Sequence, residues 1–312
     1  MEKNREKRLR PEEPSKKSWQ RRLLWRAARL ILLFIMLSIG LGLLLKERLV
    51  FQPSQDSLYR PEGFGLKSYE EVWLGGPAGG GLKALIIADN PADPGPSFLV
   101  FSGNSGNISL LLDRMSFLHS LGLSVMAVDY PGFGESAGKP SEEGLYQAAE
   151  ALWALAAERG VKAEESIIYG FSLGGAVAAY LAQAHPPGAL ILDSTFTRLR
   201  DVPSSDLPLM SPLFALVLGN AFDSRSRLKD IHCPLLVLHT PNDEVVPFKL
   251  GRELYETYEN NRKALLEGTG GHMDFLLNTR LYGAGIKEMA DSVIPPAEPE
   301  EREGAGDADQ AG

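Results

Sequence analysis

The chain has 312 residues, with 32 Lys/Arg against 40 Asp/Glu and a formal net charge of −8. The length suits about two average domains, yet open α/β folds of roughly 200–250 residues form a single unit. Charge is unevenly spread: residues 1–29 hold eleven Lys/Arg and four Asp/Glu, so +7, leaving −15 for the rest, which argues against a nucleic-acid partner for the globular part.

In chain order, residues 1–29 read as a basic cytoplasmic tail. Leu30 to Leu45 follow without a charge, closed by Lys46-Glu47-Arg48. These sixteen residues rise about 24 Å as a helix, less than the ~30 Å hydrocarbon core. Leu23, Leu24, Ala27, Ala28, Leu49 and Val50 therefore extend the apolar length, while Arg26, Arg29 and Lys46 snorkel. The expectation is a transmembrane anchor over 30–50. A cleaved signal peptide has a shorter apolar core ending at small residues, and no Ala-x-Ala-like site follows Leu45. A lipoprotein signal is excluded because the one cysteine, Cys233, lies far downstream, where it reads as packing and permits no internal disulfide. The basic excess before the anchor places the N-terminus in the cytoplasm and the domain on the extracytoplasmic side.

Residues 51–68, with Pro53 and Pro61, read as a tether, and 69–291 as one domain. Tyr69–Leu74 and Leu82–Ala88, parted by a glycine-rich stretch, suggest an antiparallel hairpin. Short apolar runs then recur at 98–101, 124–128, 166–169, 189–192, 235–238 and 264–266. Helical patterns alternate with them at about 107–120, 141–159, 173–185, 247–259 and 274–290. This rhythm predicts an α/β domain with a doubly wound, mostly parallel sheet. Residues 196–230, with Pro203, Pro208 and Pro212 among apolar side chains, are too long for a simple crossover and read as a small cap insertion. Residues 292–312 are expected to be a disordered acidic tail.

The chemistry concentrates in Gly170-Phe171-Ser172-Leu173-Gly174, set between an apolar strand and an Ala-rich helix. A serine at such a sharp turn is a nucleophile elbow, with glycines where side chains would collide. A bare Gly-x-Ser-x-Gly also marks ordinary turns; its flanks favour Ser172 as nucleophile. Such a serine needs a histidine to take its proton and a carboxylate to orient that histidine. His119, His185 and His232 read as structural or exposed, and His239 as a residue that could shape the pocket. His272, in Gly268-Thr-Gly-Gly-His-Met-Asp274 after the last strand, is better placed. Asp243, in the turn after the strand ending at Leu238, is the preferred acid over Glu244 and Asp274, because sites in open α/β sheets lie beyond strand C-terminal ends. Oxyanion donors are expected from the amides of Leu173 and Asn104, with Gly103 the near alternative.

These loops, together with Phe51-Gln-Pro-Ser54, Asp129-Tyr-Pro-Gly-Phe-Gly-Glu-Ser136 and Pro140-Ser-Glu-Glu-Gly-Leu-Tyr146, resemble the α/β-hydrolase superfamily over about residues 60–290. Within it the chain looks like the membrane-anchored alpha/beta-hydrolase-domain proteins near the serine-aminopeptidase-like group. Two positions depart: the family's usual His-Gly-Asn is Ser102-Gly103-Asn104 here, and Thr240 replaces a common Gly. The resemblance implies an α/β-hydrolase fold behind one N-terminal transmembrane helix. It also implies a serine hydrolase of carboxylic esters or thioesters with a small-molecule or lipid-like acyl substrate. A peptidase or amidase, or a non-catalytic binding protein, is the alternative. No metal or organic cofactor is expected, since no His/Cys cluster has ligand spacing and no phosphate-binding glycine fingerprint occurs.

Overall fold

A computed structural model describes residues 16–76, 80–203 and 211–294. Most of the basic tail, the acidic tail from 295 onward and part of the cap lie outside the described residues. In chain order the elements are α1 (Lys16–Val50), β1 (Gln52–Pro53), β2 (Tyr69–Leu74), β3 (Leu82–Ile87), β4 (Ser97–Phe101), β5 (Ser105–Gly106), α2 (Leu112–His119), β6 (Ser124–Val128), α3 (Glu142–Glu158), β7 (Ser166–Phe171), α4 (Leu173–Ala184), β8 (Ala189–Asp193), α5 (Ser211–Leu218), α6 (Ser224–Arg227), β9 (Leu235–His239), α7 (Phe248–Thr257), β10 (Lys263–Glu267) and α8 (Thr279–Val293).

Eight strands form one sheet in the order β10-β9-β8-β7-β4-β6-β3-β2. Only the β2–β3 and β3–β6 pairs are antiparallel. The alternation of side chains along a strand divides the core between two faces. On β4, Leu99 and Phe101 pack with α3 and α4, while Phe98 and Val100 pack with Met115 of α2 and Ile286 of α8. Strands buried on both sides explain the unbroken apolar runs in the sequence. The chain steps from β4 to β6 on one side, then crosses back to β7 on the other, so the C-terminal ends of β4 and β7 flank a crevice. Ligand sites in such sheets form at that switch point.

Two helices are shorter than their patterns. Residues Ile108–Leu111 form a 3-10 turn before α2, because the Asn107 side chain accepts the Ser109 amide and closes a tighter turn. Phe275–Asn278 do the same before α8, with Asn278 exchanging hydrogen bonds with the backbone of Thr269. The helix α1 is longer than the anchor expected at 30–50. Its 35 residues extend about 52 Å, enough to cross a ~30 Å hydrocarbon core, and Leu30 to Leu37 are all exposed.

The tether expected over 51–68 is not a free spacer. Phe51 and Leu66 are buried, β1 pairs in parallel with β5, and Asn107 Nδ2 donates to the carbonyls of Ser54 and Asp56. Proline and polar residues suggested a linker, but the buried side chains of Phe51, Pro61 and Leu66 and hydrogen bonds from the backbone dock the segment. Between β8 and β9, the insertion carries α5 and α6. Its α5 rests on α1 at Gly42, where an added Cβ would lie 2.8 Å from Val217 Cγ2.

Candidate active site

Ser172 sits between β7 and α4 with φ 53° and ψ −120°, a left-handed backbone that an L-residue adopts only when its surroundings enforce it. The turn is packed so closely that only glycine fits on either side. A Cβ at Gly174 would stand 2.1 Å from the Phe101 carbonyl oxygen, and one at Gly170 would stand 2.3 Å from that of Gly174. Hydrogen bonds complete the hold: the Ser172 amide donates to Asp193 O at 2.9 Å, and Thr195 Oγ1 donates to Ser172 O at 2.6 Å.

The structure brings together the three side chains singled out by sequence, which come from the ends of β7, β9 and β10. His272 Nε2 lies 3.1 Å from Ser172 Oγ and Nδ1 lies 2.8 Å from Asp243 Oδ2. With Nδ1–H donating a hydrogen bond to the carboxylate, Nε2 presents its lone pair to the serine hydroxyl. Asp243 Oδ1 accepts the amides of Val245 and Val246 at 2.9 and 2.7 Å. Burial pushes its pKa upward, but the His239 and His272 hydrogen bonds, the His272 charge and the Val246 amide outweigh this and hold the carboxyl well below its usual range. The rival acids point elsewhere: Glu244 accepts the backbone amide of His272, and Asp274 accepts that of Gly271.

Two neighbours carry more than the sequence suggested. His239, fully buried, donates from Nε2 to Val246 O at 2.9 Å and stands 3.3 Å from Asp243 Oδ2. Arg114, 2 % exposed, lies 3.2 Å from Asp193 Oδ2 and places its guanidinium 3.6 Å from the Phe171 ring centroid. That ring in turn lies 4.9 Å from the His272 ring. A buried ion pair thus underlies the elbow. The signal available in sequence was one charge on the apolar face of α2. Cys233 is buried, and its thiol is pushed up to about 12 by burial, as befits a packing residue.

A cavity of about 460 Å³ opens over Ser172, within the size range of small-ligand sites. Its floor holds Ser102, Gly103, Asn104, Ser172, Leu173 and His272. A Cβ at Gly103 would approach Ser172 Cβ to 3.5 Å, so this loop faces the serine. The walls are apolar: Phe196, Leu199, Val202 and Leu218 from the insertion, with Leu49 and Val50 from the end of α1. Among the described residues no Asp, Glu, Lys or Arg lines the cavity.

Comparison with known proteins agrees with this architecture. Residues 92–226 match the family model described as Serine aminopeptidase, S33. The chain is 38% identical over 198 residues to an uncharacterized protein of Mycobacterium tuberculosis (strain CDC 1551 / Oshkosh), covering 62% of this chain and 69% of that one. It is 30% identical over 233 residues to the alpha/beta hydrolase domain-containing protein WAV2 of Arabidopsis thaliana, covering 68% and 75%. The lysophosphatidylserine lipase ABHD12 of Rattus norvegicus is 36% identical over 196 residues, which is 56% of this chain and 48% of the lipase, so the match spans about half of that relative. Among solved structures, a Pyrococcus furiosus esterase superposes with a TM-score of 0.60 at 17% identity, covering 78% of this chain and 97% of the esterase. The chain belongs to the α/β-hydrolase superfamily.

Proposed function

We propose that this chain is a membrane-anchored serine hydrolase that cleaves carboxylic esters or thioesters through an acyl-enzyme. The observation carrying this is the unbroken relay from Ser172 Oγ through His272 to Asp243, at 3.1 and 2.8 Å, under a largely apolar cavity with no Asp, Glu, Lys or Arg among its described lining residues. Ser172 Oγ attacks the carbonyl carbon while its proton passes to His272 Nε2, and Asp243 stabilises the imidazolium. Negative charge on the former carbonyl oxygen falls to the amides of Leu173 and Asn104. The first residues of a helix have N–H groups without intrahelical partners, which suits Leu173 to this task. Collapse expels an alcohol or thiol carrying the proton from His272. Water then attacks the acyl-enzyme by the same relay, releasing a carboxylic acid and restoring Ser172.

An aminopeptidase reading follows from the name of the matching family model. Such a substrate brings a free ammonium group, which needs a carboxylate partner once desolvated. The absence of acidic side chains from the described cavity lining favours a neutral acyl group. The lipase name of one relative points the same way. The anchor would be residues 30–50 of α1, with residues 1–29 in the cytoplasm and the domain on the opposite side.

Ser172→Ala is expected to abolish fluorophosphonate labelling and hydrolysis of p-nitrophenyl acyl esters. Asp243→Asn should lower kcat by about 10⁴, because the imidazole then loses its enforced tautomer. Intact labelling of the Ser172→Ala protein would refute the assignment.

A further inference from the structure

We infer that the exit of helix α1, from Val50 to Gln52, is a positioning element of the acyl site itself, holding Asn104 so that its amide meets the developing oxyanion. This rests on the serine-hydrolase reading above and goes beyond it, because the end of the anchor becomes part of the catalytic geometry.

The last carbonyls of a helix have no partner within it. At the end of α1, Val50 O finds one 54 residues away, in the Asn104 side chain, whose Nδ2 donates at 2.8 Å. The carbonyl of Asn104 is held from the same segment, accepting the Gln52 amide at 2.8 Å. Side chain and carbonyl are therefore both held from one segment, which restrains the residue that carries the N–H. The registration continues as β1 meets β5, Gln52 opposite Ser105 and Pro53 opposite Gly106, with Ser54 N donating to Gly106 O at 2.9 Å.

The exit peptide is itself fixed. Phe51 is buried, with its ring edge-on to Phe222 at 6.2 Å, while Leu49, Val50 and Gln52 line the cavity. A loop of Ser, Gly and Asn has little stiffness of its own, whereas oxyanion stabilisation depends on donors that do not reorganise during reaction. The α1 exit supplies that stiffness.

The test uses the full-length membrane protein and two changes: Asn104→Ala, which keeps the amide and removes the contact to Val50, and insertion of two glycines between Val50 and Phe51, which withdraws the helix end while Phe51 stays docked. Each should lower kcat for a p-nitrophenyl ester by about 10-fold to 100-fold, below the roughly 10²–10³ lost when a donor is removed outright. KM should stay within about twofold, and the Ki of a trifluoromethyl ketone, whose adduct carries the oxyanion, should rise by the same factor as kcat falls. The double variant should be no worse than either single one, since both break one contact. Unchanged kcat, a KM effect alone or additive losses overturns the inference. Should Asn104→Ala not fold, the insertion decides by the same kcat and Ki shifts. Hydrolysis that persists in Ser172→Ala is a separate outcome, and removes the underlying reading instead.

Discussion

The two sides of the cleft hold their reacting groups by different physics. At the elbow, Gly170 and Gly174 let backbones approach more closely than any side chain would permit, since a Cβ at either would stand 2.1 to 2.3 Å from a carbonyl oxygen. Across the cleft, Gly103 meets no such wall, and the one tight glycine of the Ser102 to Asn107 loop, Gly106, faces the Leu110 side chain rather than backbone. The loop is held by hydrogen bonds to residues 50–56 and to Asp129, whose Oδ1 accepts the Ile108 amide at 2.7 Å. The glycines of the elbow stand together in one short motif that the sequence displays, whereas the hydrogen bonds of the loop are made by scattered residues and leave little trace in any one stretch.

The sharpest way to break this contrast is to add one methyl group to each side. Gly174→Ala pushes a carbon into the backbone of Phe101 and Ser102, and is expected to cost more than about 4 kcal/mol or abolish soluble folded protein. Gly103→Ala meets only ordinary contacts of 3.5 Å or more and should stay within about 1 kcal/mol by urea denaturation. Equal losses would show that both sides are sterically locked.

A second comparison concerns charge. Beneath the elbow, Arg114→Met leaves Asp193 buried without its cation, although Tyr169 and Ser194 still donate to it. A loss of about 3–5 kcal/mol is expected, measured by chemical denaturation. A loss within experimental error would mean that the two hydroxyl donors suffice.

Beneath the opposite loop, burial is the largest influence on Asp129 and raises its pKa to about 7, against the Ile108 amide and Lys83. The native state therefore keeps this proton after the unfolded chain has released it, and stability falls as pH rises from about 4 to 7. Asp129→Asn removes that dependence and can still accept the Ile108 amide. Relative to the parent, it should gain about 1–3 kcal/mol between pH 5 and pH 8, read from urea midpoints at the two values. A constant difference across that range would show that the carboxyl ionises normally.

Much of the architecture was legible in the sequence because strands buried on both faces leave continuous apolar runs, as at Phe98 to Phe101 and Leu235 to Leu238. The meeting of Ser172, Asp243 and His272 was legible for a related reason: each lies just past such a run, and parallel strands bring those ends to one edge. Other features were hidden. Arg114 resembles a surface residue until its partner is placed, since Asp193 lies 79 positions away, whereas His239 was legible as a residue at the pocket, four positions before Asp243, but not as a partner of its carboxylate. Residues 51–68 looked like a spacer because docking by backbone carbonyls requires no special residue type.

One small feature, the bare backbone of Gly42, bears on how a substrate gains entry. Because Val217 fills the space a side chain would have taken, α5 is seated against α1 while its next residue, Leu218, shares the cavity wall with Leu49 and Val50. The position of that wall is therefore tied to how the two helices seat on each other. That stretch of wall thus belongs to two segments remote in sequence, and a bulkier residue at position 42 would disturb it, and with it the Val50 contact to Asn104, by shifting helices rather than by replacing a lining side chain.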